Sequence, residues 1–362
     1  MVKTRKKEQD KTNKSNSKNL IWAVLSILVG GLSIYAVLSQ SKEISLVDIG
    51  KNLVTMHKGW LIIGIICMLG FIYFEACAIR ETCHILNSKC KVSDSVVYSA
   101  ADIYFSAITP SATGGQPASG CAMVQDGISA MKTTAALIMN LSMYTISLII
   151  IGTVCLLTKP KLFLCFGNVS RLLIIVGFIV QFVLVSFFLL LVKNEKTLSL
   201  FGNKGINLLK KIHIIKDKIK IQRKFDDWMN QYKSCAEMFS NKRNQLWKVL
   251  LYNVLQRSSQ IAVTMCVYMA LGGGMLAAYD LWVIQSFVLI GSNFVPIPGG
   301  MGVTDYLMLN GFSSFLAMDA AVNLEMISRS LSFYVCIILC GLILIGRFVT
   351  RRYSNRKENI TC

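Results

Sequence analysis

The sequence predicts an all-α polytopic membrane protein: six full transmembrane helices plus two Pro/Gly-broken hairpins, re-entrant or discontinuous, in an inverted-repeat arrangement. Three observations predict it. The 362 residues are 54% hydrophobic and only 16% charged, well short of the roughly one quarter charged that a soluble domain carries. The apolar residues gather in runs of about 20, the length that crosses the hydrocarbon layer at 1.5 Å per residue. Four of the five prolines fall in two short motifs that also contain glycine.

The elements follow in order. Residues 1–19 form a basic tail (Lys3, Arg5, Lys6, Lys7, Lys11, Lys14, Lys18). The first run, Leu20–Ser39, has no small-residue cleavage site behind it and is expected to be an uncleaved anchor. Trp60–Ile79 is the second span. A broken segment over 96–131 comes next, then the spans Thr133–Leu157 and Leu172–Val192, which complete a first membrane half over 20–192. Residues 193–246 form a basic polar loop. In it Ile206, Leu209, Ile212, Ile215 and Ile219 share one helical face, and Lys210, Lys211, Lys216, Lys218 and Lys220 lie largely elsewhere. That pattern suits a helix lying on the inner leaflet. Phe225, Trp228, Tyr232 and Phe239 suggest a second helix, so the loop reads as a helical connector. The second half, 247–349, holds the spans Trp247–Leu271 and Ser328–Phe348 around a broken segment at 277–318. Residues 350–362 are a second basic tail.

The net charge of +19 concentrates in the tails and the loop. Positive charge marks the cytoplasmic side, so both termini and the loop are placed there, as an even number of spans requires. The excess also draws the chain to anionic lipid head groups. Nucleic acid is not an expected partner, because no basic soluble domain with interleaved aromatics is present. The twelve cysteines are scattered, several inside spans, and make no disulfide framework. Cys77, Cys83, His84 and Cys90 lack the spacing of a metal site. No cofactor, metal or catalytic residue is predicted. His57, His84 and His213 have no evident triad partner. Gly272-Gly273-Gly274 lacks the Lys-Ser/Thr of a phosphate loop and reads as a tight turn outside the cell. Asn140-Leu141-Ser142 matches a glycosylation sequon but lies in a span.

The first motif is Thr109-Pro110-Ser111-Ala112-Thr113-Gly114-Gly115-Gln116-Pro117. The second is Pro296-Ile297-Pro298-Gly299-Gly300-Met301-Gly302-Val303-Thr304-Asp305. Proline interrupts helical hydrogen bonding and glycine frees the backbone, so helices stop and restart there. Three spans separate the motifs, so the first segment enters from the cytoplasm and the second from outside. Paired interruptions in opposite orientation are the mark of an inverted repeat with a midplane site. Restarting helices point amides inward and favour anions by roughly 0.3–2 kcal/mol, which suits a lipid phosphate. The plainer alternative is two ordinary kinks or loops.

A charge at mid-bilayer costs about 2.5–3.5 kcal/mol on insertion scales, so intramembrane charges tend to face the bundle interior. Arg257 and Gln260 lie one turn apart. Arg257 is expected to pair with Asp305 or Glu75, and its planar fork suits a phosphate. Asp102 sits in the first broken segment. Glu75, Arg80 and Arg329 read equally well as residues snorkelling to an interface.

The two motifs resemble the signatures of the flippase-like transmembrane domain of bacterial lysylphosphatidylglycerol synthases, and the resemblance covers about Leu20 to Phe348. Asp305 stands where the family often has Glu. The resemblance implies a bacterial plasma-membrane protein that translocates or binds lysyl-phosphatidylglycerol or a related lipid, linked to resistance to cationic antimicrobial peptides. It implies a head-group site of Thr109, Ser111, Thr113, Gly114, Gly115 and Gln116 with Pro298, Gly299, Gly300 and Gly302, and Arg257 and Asp305 nearby; the intramembrane polar residues Gln260 and Glu75 are added to that site from the reading above. In full-length relatives a soluble C-terminal domain transfers lysine from lysyl-tRNA to phosphatidylglycerol. This chain stops about a dozen residues beyond its last span, so that domain is expected to be absent. Two alternatives stay open: a phosphatidylglycerol lysyltransferase, or a membrane partner of a separately encoded transferase docked on the basic loop. Anionic or aminoacylated phospholipids are the expected partners, and a homo-oligomer is left open.

Overall fold

The computed structural model describes residues 56–109, 112–193, 227, 233–295 and 297–361, with backbone alone at 189–193, 298 and 352–361. The expected span Leu20–Ser39, most of the basic loop and Ser111 lie outside the described residues.

Within them the chain is helical, with no strand. The helices are α1 (Lys58–Ile85), α2 (Val92–Ile108), α3 (Gly115–Gln125), α4 (Ala130–Thr158), the short α5 (Pro160–Leu164) and α6 (Asn168–Lys193). After a helical stretch at 233–241 come α7 (Arg243–Ala270), α8 (Met275–Ser292), a 3-10 turn (Pro298–Gly300), α9 (Val303–Phe312) and α10 (Met318–Arg329). A π-helical turn (Ser330–Val335) joins α10 to α11 (Cys336–Thr361). Five stretches are long and apolar enough to cross a membrane: Lys58–Ile85, Ala130–Thr158, Asn168–Phe188, Met275–Ser292 and Met318–Arg351. Residues such as Ile66, Leu172, Val183 and Leu342 are exposed on their outer faces, as lipid contact requires.

The expected spans Trp60–Ile79, Thr133–Leu157 and Leu172–Val192 sit inside α1, α4 and α6. Ser328–Phe348 starts at the end of α10 and runs through the π turn into α11. Trp247–Leu271 falls in α7, whose 28 residues reach about 42 Å. That helix is missing from the apolar set because one of its faces is polar.

Both motifs interrupt helices as their composition dictates. At the first, Thr109 is extended (φ −109°, ψ 146°), the conformation favoured by a residue before proline. Its hydroxyl accepts the Gly114 N–H at 2.9 Å, and α3 starts one residue later. At the second, Gly299, Gly300 and Gly302 have φ of 61°, 63° and 78°, a region open to glycine at little cost. The Asp305 carboxylate then accepts the Gly302 N–H at 2.8 Å and caps α9. The limbs are unequal. α2 and α8, with 17 and 18 residues, reach about 26 Å, whereas α3 and α9, with 11 and 10, reach only about 16 Å.

Close backbone approach packs the bundle. α1 and α7 form its most extensive contact, and a Cβ on Gly70 would lie 3.3 Å from the Ser259 hydroxyl across it. α6 crosses α8 where a Cβ on Gly177 would lie 2.2 Å from the Ile290 carbonyl oxygen. α2 packs on α11 and α8 on α4. At one end Arg347 bonds Asp94 at 2.9 Å and Asp126 at 3.0 Å. Arg351 also pairs with Asp126, so α11 is tied to the outer ends of the first broken segment.

The tightest approach is Gly115, where a Cβ would lie 2.1 Å from Asp102 Oδ1 and 2.5 Å from the Asp102 carbonyl oxygen. Gly115→Ala should therefore destabilise the purified protein by about 1–3 kcal/mol through overpacking. Gly59→Ala, with no neighbour within 4 Å, should leave thermal unfolding in detergent unchanged or slightly raised.

Candidate functional site

Between the two broken segments lies a cavity of about 570 Å³, walled also by α1, α4, α6, α7 and the start of α11. Its polar groups divide into two poles and a stripe.

The acidic pole belongs to α1 and α2. Asp102 and Glu75 are 7% and 6% exposed. Asp102 accepts from Gln116 Nε2 at 2.9 Å and from the Ser106 hydroxyl at 3.2 Å. Glu75 accepts from Gln256 Nε2 at 2.8 Å, and its carboxyl group is within hydrogen-bonding reach of that of Asp102. Asp102 thus holds the restarting helix through Gln116 while facing the cavity.

The second pole is Arg329, at the end of α10. Its Nε lies 2.7 Å from Asp305 Oδ1, an ion pair by distance. Its Nη2 donates to the Gly299 carbonyl at 3.3 Å, and its guanidinium lies 5.0 Å from the centre of the Phe333 ring. One arginine therefore binds both the turn of the second motif and the acid that caps α9.

The stripe runs along α7. Asn253, Gln256, Arg257 and Gln260 all line the cavity, at the i, i+3, i+4, i+7 spacing of one helical face. Arg257 is stacked between Tyr144 and Phe71, 4.0 and 5.2 Å from their ring centres. Its Nη1 donates to Gln260 Oε1 at 2.6 Å, and its Nε is buried without a hydrogen-bond partner. Tyr144 in turn donates to Asn293 Oδ1 at 2.7 Å. Asn253 donates through Nδ2 to Asn140 Oδ1 at 3.1 Å and to the Val249 carbonyl at 2.9 Å. The carbonyl oxygens of Asn253 and Gln256 are buried and have no donor, as are those of Gln181 and Gln285, which also line the cavity. An unmatched buried acceptor costs about 1–3 kcal/mol.

Of the residues expected from sequence, Glu75, Thr113, Gln116, Arg257, Gln260, Gly299 and Gly300 line the cavity. Thr109, Gly114 and Gly115 build the first turn behind it, Pro298 opens the 3-10 turn, and Gly302 and Asp305 cap α9. Ser111 lies outside the described residues. Asp305 pairs with Arg329, and Arg257 lies with Glu75 and Asp102. The reason is local, since capping ties the Asp305 carboxylate to the first turn of α9, beside the end of α10. Arg329, which read equally well as an interfacial residue, is a cavity residue with a 13% exposed side chain. Arg80 donates instead to the Cys90 carbonyl at 3.4 Å. Sequence reasoning missed Asn140, Gln181, Asn253, Gln256 and Gln285. The signal for two of them was present: amides at 253 and 256 continue the face of Arg257 and Gln260.

Two guanidinium groups, two carboxyl groups and neutral amides around one cavity equip it for a ligand with both charge and hydrogen-bonding groups. Among the described residues no group of three His, Cys, Asp or Glu could hold a metal ion. The Arg329–Asp305 pair should show in a double-mutant cycle. Arg329→Met and Asp305→Asn should each destabilise the protein, and their combination should cost about 1–3 kcal/mol less than the sum. Additive unfolding energies would mean that the two side chains act independently.

A protein-family model described as the lysylphosphatidylglycerol synthase TM region matches residues 21–340. No curated protein matches the chain.

Proposed function

The chain belongs to the lysylphosphatidylglycerol synthase transmembrane family, and from that premise we propose that this multi-pass membrane protein binds a phospholipid head group in its cavity and passes it between leaflets. The observation that carries the reading is the cavity itself, a charged and amide-lined volume bounded by both interrupted segments within a bundle whose outer surface is apolar. A head group cannot cross hydrocarbon unaided, because each unpaired polar group costs several kcal/mol there. Acyl chains need no such path. A polar route open to the side of a helical bundle therefore serves head and tails together.

The contacts support an inverted repeat. The spans that precede the two broken segments, α1 and α7, pack on each other. The first limb of each broken segment packs on the span that follows the other one, α2 on α11 and α8 on α4. The short limbs α3 and α9 suit segments that turn back within the bilayer, and midplane sites between such repeats are the common transporter arrangement. Arg257 is the natural phosphate anchor, a guanidinium on the cavity wall whose hydrogen bond goes to the neutral Gln260. Glu75 and Asp102 suit an amine. An anionic or aminoacylated phosphatidylglycerol in a bacterial plasma membrane, with both termini cytoplasmic, fits these poles. Resistance to cationic peptides would then follow from a less anionic outer surface.

The test is lipid extraction from cells with and without the chain, after labelling outer-leaflet amines on intact cells. In a host that already makes aminoacyl lipid, the total should stay constant while the labelled fraction rises. Arg257→Ala should cut that rise by at least about tenfold, the effect of removing a buried charged contact. In a host that lacks the lipid, its appearance would make the chain a lysyltransferase and overturn the reading.

A further inference from the structure

Ion pairs close the bundle at its two opposite ends, and they occupy equivalent places in its two halves. At one end Arg347 Nη2 lies 2.9 Å from Asp94 Oδ1 and 3.0 Å from Asp126 Oδ1. Arg351 pairs with Asp126 and donates to Gln125 Oε1 at 2.8 Å, and the Tyr98 hydroxyl donates to the other oxygen of Asp126 at 2.8 Å. α4 begins just beyond Asp126 and carries the chain through 29 residues, about 43 Å, to Lys159. There Lys159 Nζ lies 2.9 Å from Asp280 Oδ1 and 5.8 Å from the centre of the Tyr279 ring. Asp94 and Asp280 each stand 16 residues before the first proline of their motif, Pro110 or Pro296. The cations Lys159 and Arg347 follow those prolines by 49 and 51 residues. Partners are exchanged between the halves: Asp94 of α2 holds Arg347 of α11, and Asp280 of α8 holds Lys159 at the end of α4. All four helices wall the cavity, so each pair ties two walls together at its own end.

We propose that these ion pairs are opposed clasps, and that the cavity is exposed to a given side of the membrane only when the clasp at that end opens. This rests on the passage between leaflets proposed above and names the contacts that regulate it. The clasps are unequal. Lys159–Asp280 is a single pair with side chains 43% and 23% exposed, the kind that water and salt weaken most. The other clasp joins two arginines to two aspartates, with Tyr98 and Gln125 behind them. The resting protein therefore favours closure at the Arg347 end and opens more readily at the Lys159 end. Where the two exposures are alternative states of one equilibrium, weakening one clasp raises exposure at its own end and lowers it at the other. A pair that merely stabilised the fold would raise both or neither.

The reporter is Ala107→Cys in the full chain, at a half-buried cavity-wall residue of α2. A charged, membrane-impermeant maleimide is applied to sealed membrane vesicles of either orientation, with the Arg347 side fixed by protease access to a tag after Cys362. Peptide mass spectrometry reads the reporter apart from the native cysteines. Arg347→Met combined with Arg351→Met should speed labelling from the Arg347 side at least about tenfold, as loss of a charged network shifts a two-state equilibrium, and slow it from the other side. Lys159→Met should do the opposite by about two- to fivefold, as an exposed ion pair allows. Exchanging the charges, Lys159→Asp with Asp280→Lys, should restore the wild-type ratio of the two rates. Cys155, 1% exposed and away from the cavity wall, reports packing and should stay unlabelled. Should the arginine variant fail to fold, Lys159→Met and its charge exchange decide alone. Rates unchanged from wild type, or raised from both sides in a folded variant, overturn the proposal. Lipid movement is followed separately, with acyl-labelled phosphatidylglycerol in vesicles quenched from outside. Reciprocal labelling in a chain that moves no lipid would keep the clasps and remove the translocation reading. Lipid movement with labelling unmoved by either clasp would do the reverse.

Discussion

In hydrocarbon there is no water to satisfy a backbone N–H or C=O, so a helix that breaks inside a bundle must find partners for the groups it frees. Both interruptions in this chain find them in side chains. At the first, the Thr109 hydroxyl accepts the Gly114 N–H and donates to the Phe105 carbonyl at 2.6 Å, and Gln116 at the restart is held by Asp102. At the second, Asp305 takes the Gly302 N–H and Arg329 takes the Gly299 carbonyl. Apart from the Thr109 hydroxyl, the groups that close the breaks are the charged groups around the cavity, or their direct partners. Closing the fold and furnishing the site are one requirement, and neither pole can be altered without loosening a turn.

The polar face of α7 is a consequence of the same constraint. A helix with Asn253, Gln256, Arg257 and Gln260 on one side would be a poor span if that side met lipid. It is acceptable because α1 packs along the helix, where small residues such as Gly70 allow close approach, and because the polar side opens on the cavity. Tyr144 and Phe71 complete the arrangement by stacking on Arg257. The rings cover the guanidinium, and Glu75 and Asp102 lie near enough to interact with its charge.

Much of this was legible in the sequence. Runs of apolar residues located the described spans, and proline with glycine located both breaks, because those signals act within a few residues of chain. Arg257 stood out because a lone arginine in an apolar stretch has few explanations. The amides were less visible. Gln181 and Gln285 are single polar residues inside apolar helices, and averaging over a span erases them. The pairing of Asp305 with Arg329 could not be read either, since it depends on how α9 and α10 fold back on each other. The π turn at Ser330–Val335 has no proline to announce it, yet it lies just after Arg329 and includes the Phe333 ring that covers this residue.

The placement of the poles has a consequence for movement. Asp102 belongs to the first broken segment, Arg329 is bonded to the turn of the second, and Arg257 belongs to neither. A ligand touching only one of them would bind equally well however the two halves were set, and such a ligand cannot shift an equilibrium between arrangements. On the head-group reading proposed above, a ligand that reaches both segments from Arg257 would bind with an energy that depends on how they are set, and that dependence is what any alternating exposure of the cavity requires. The hydrogen bonds that hold each turn to its own pole would keep each segment intact.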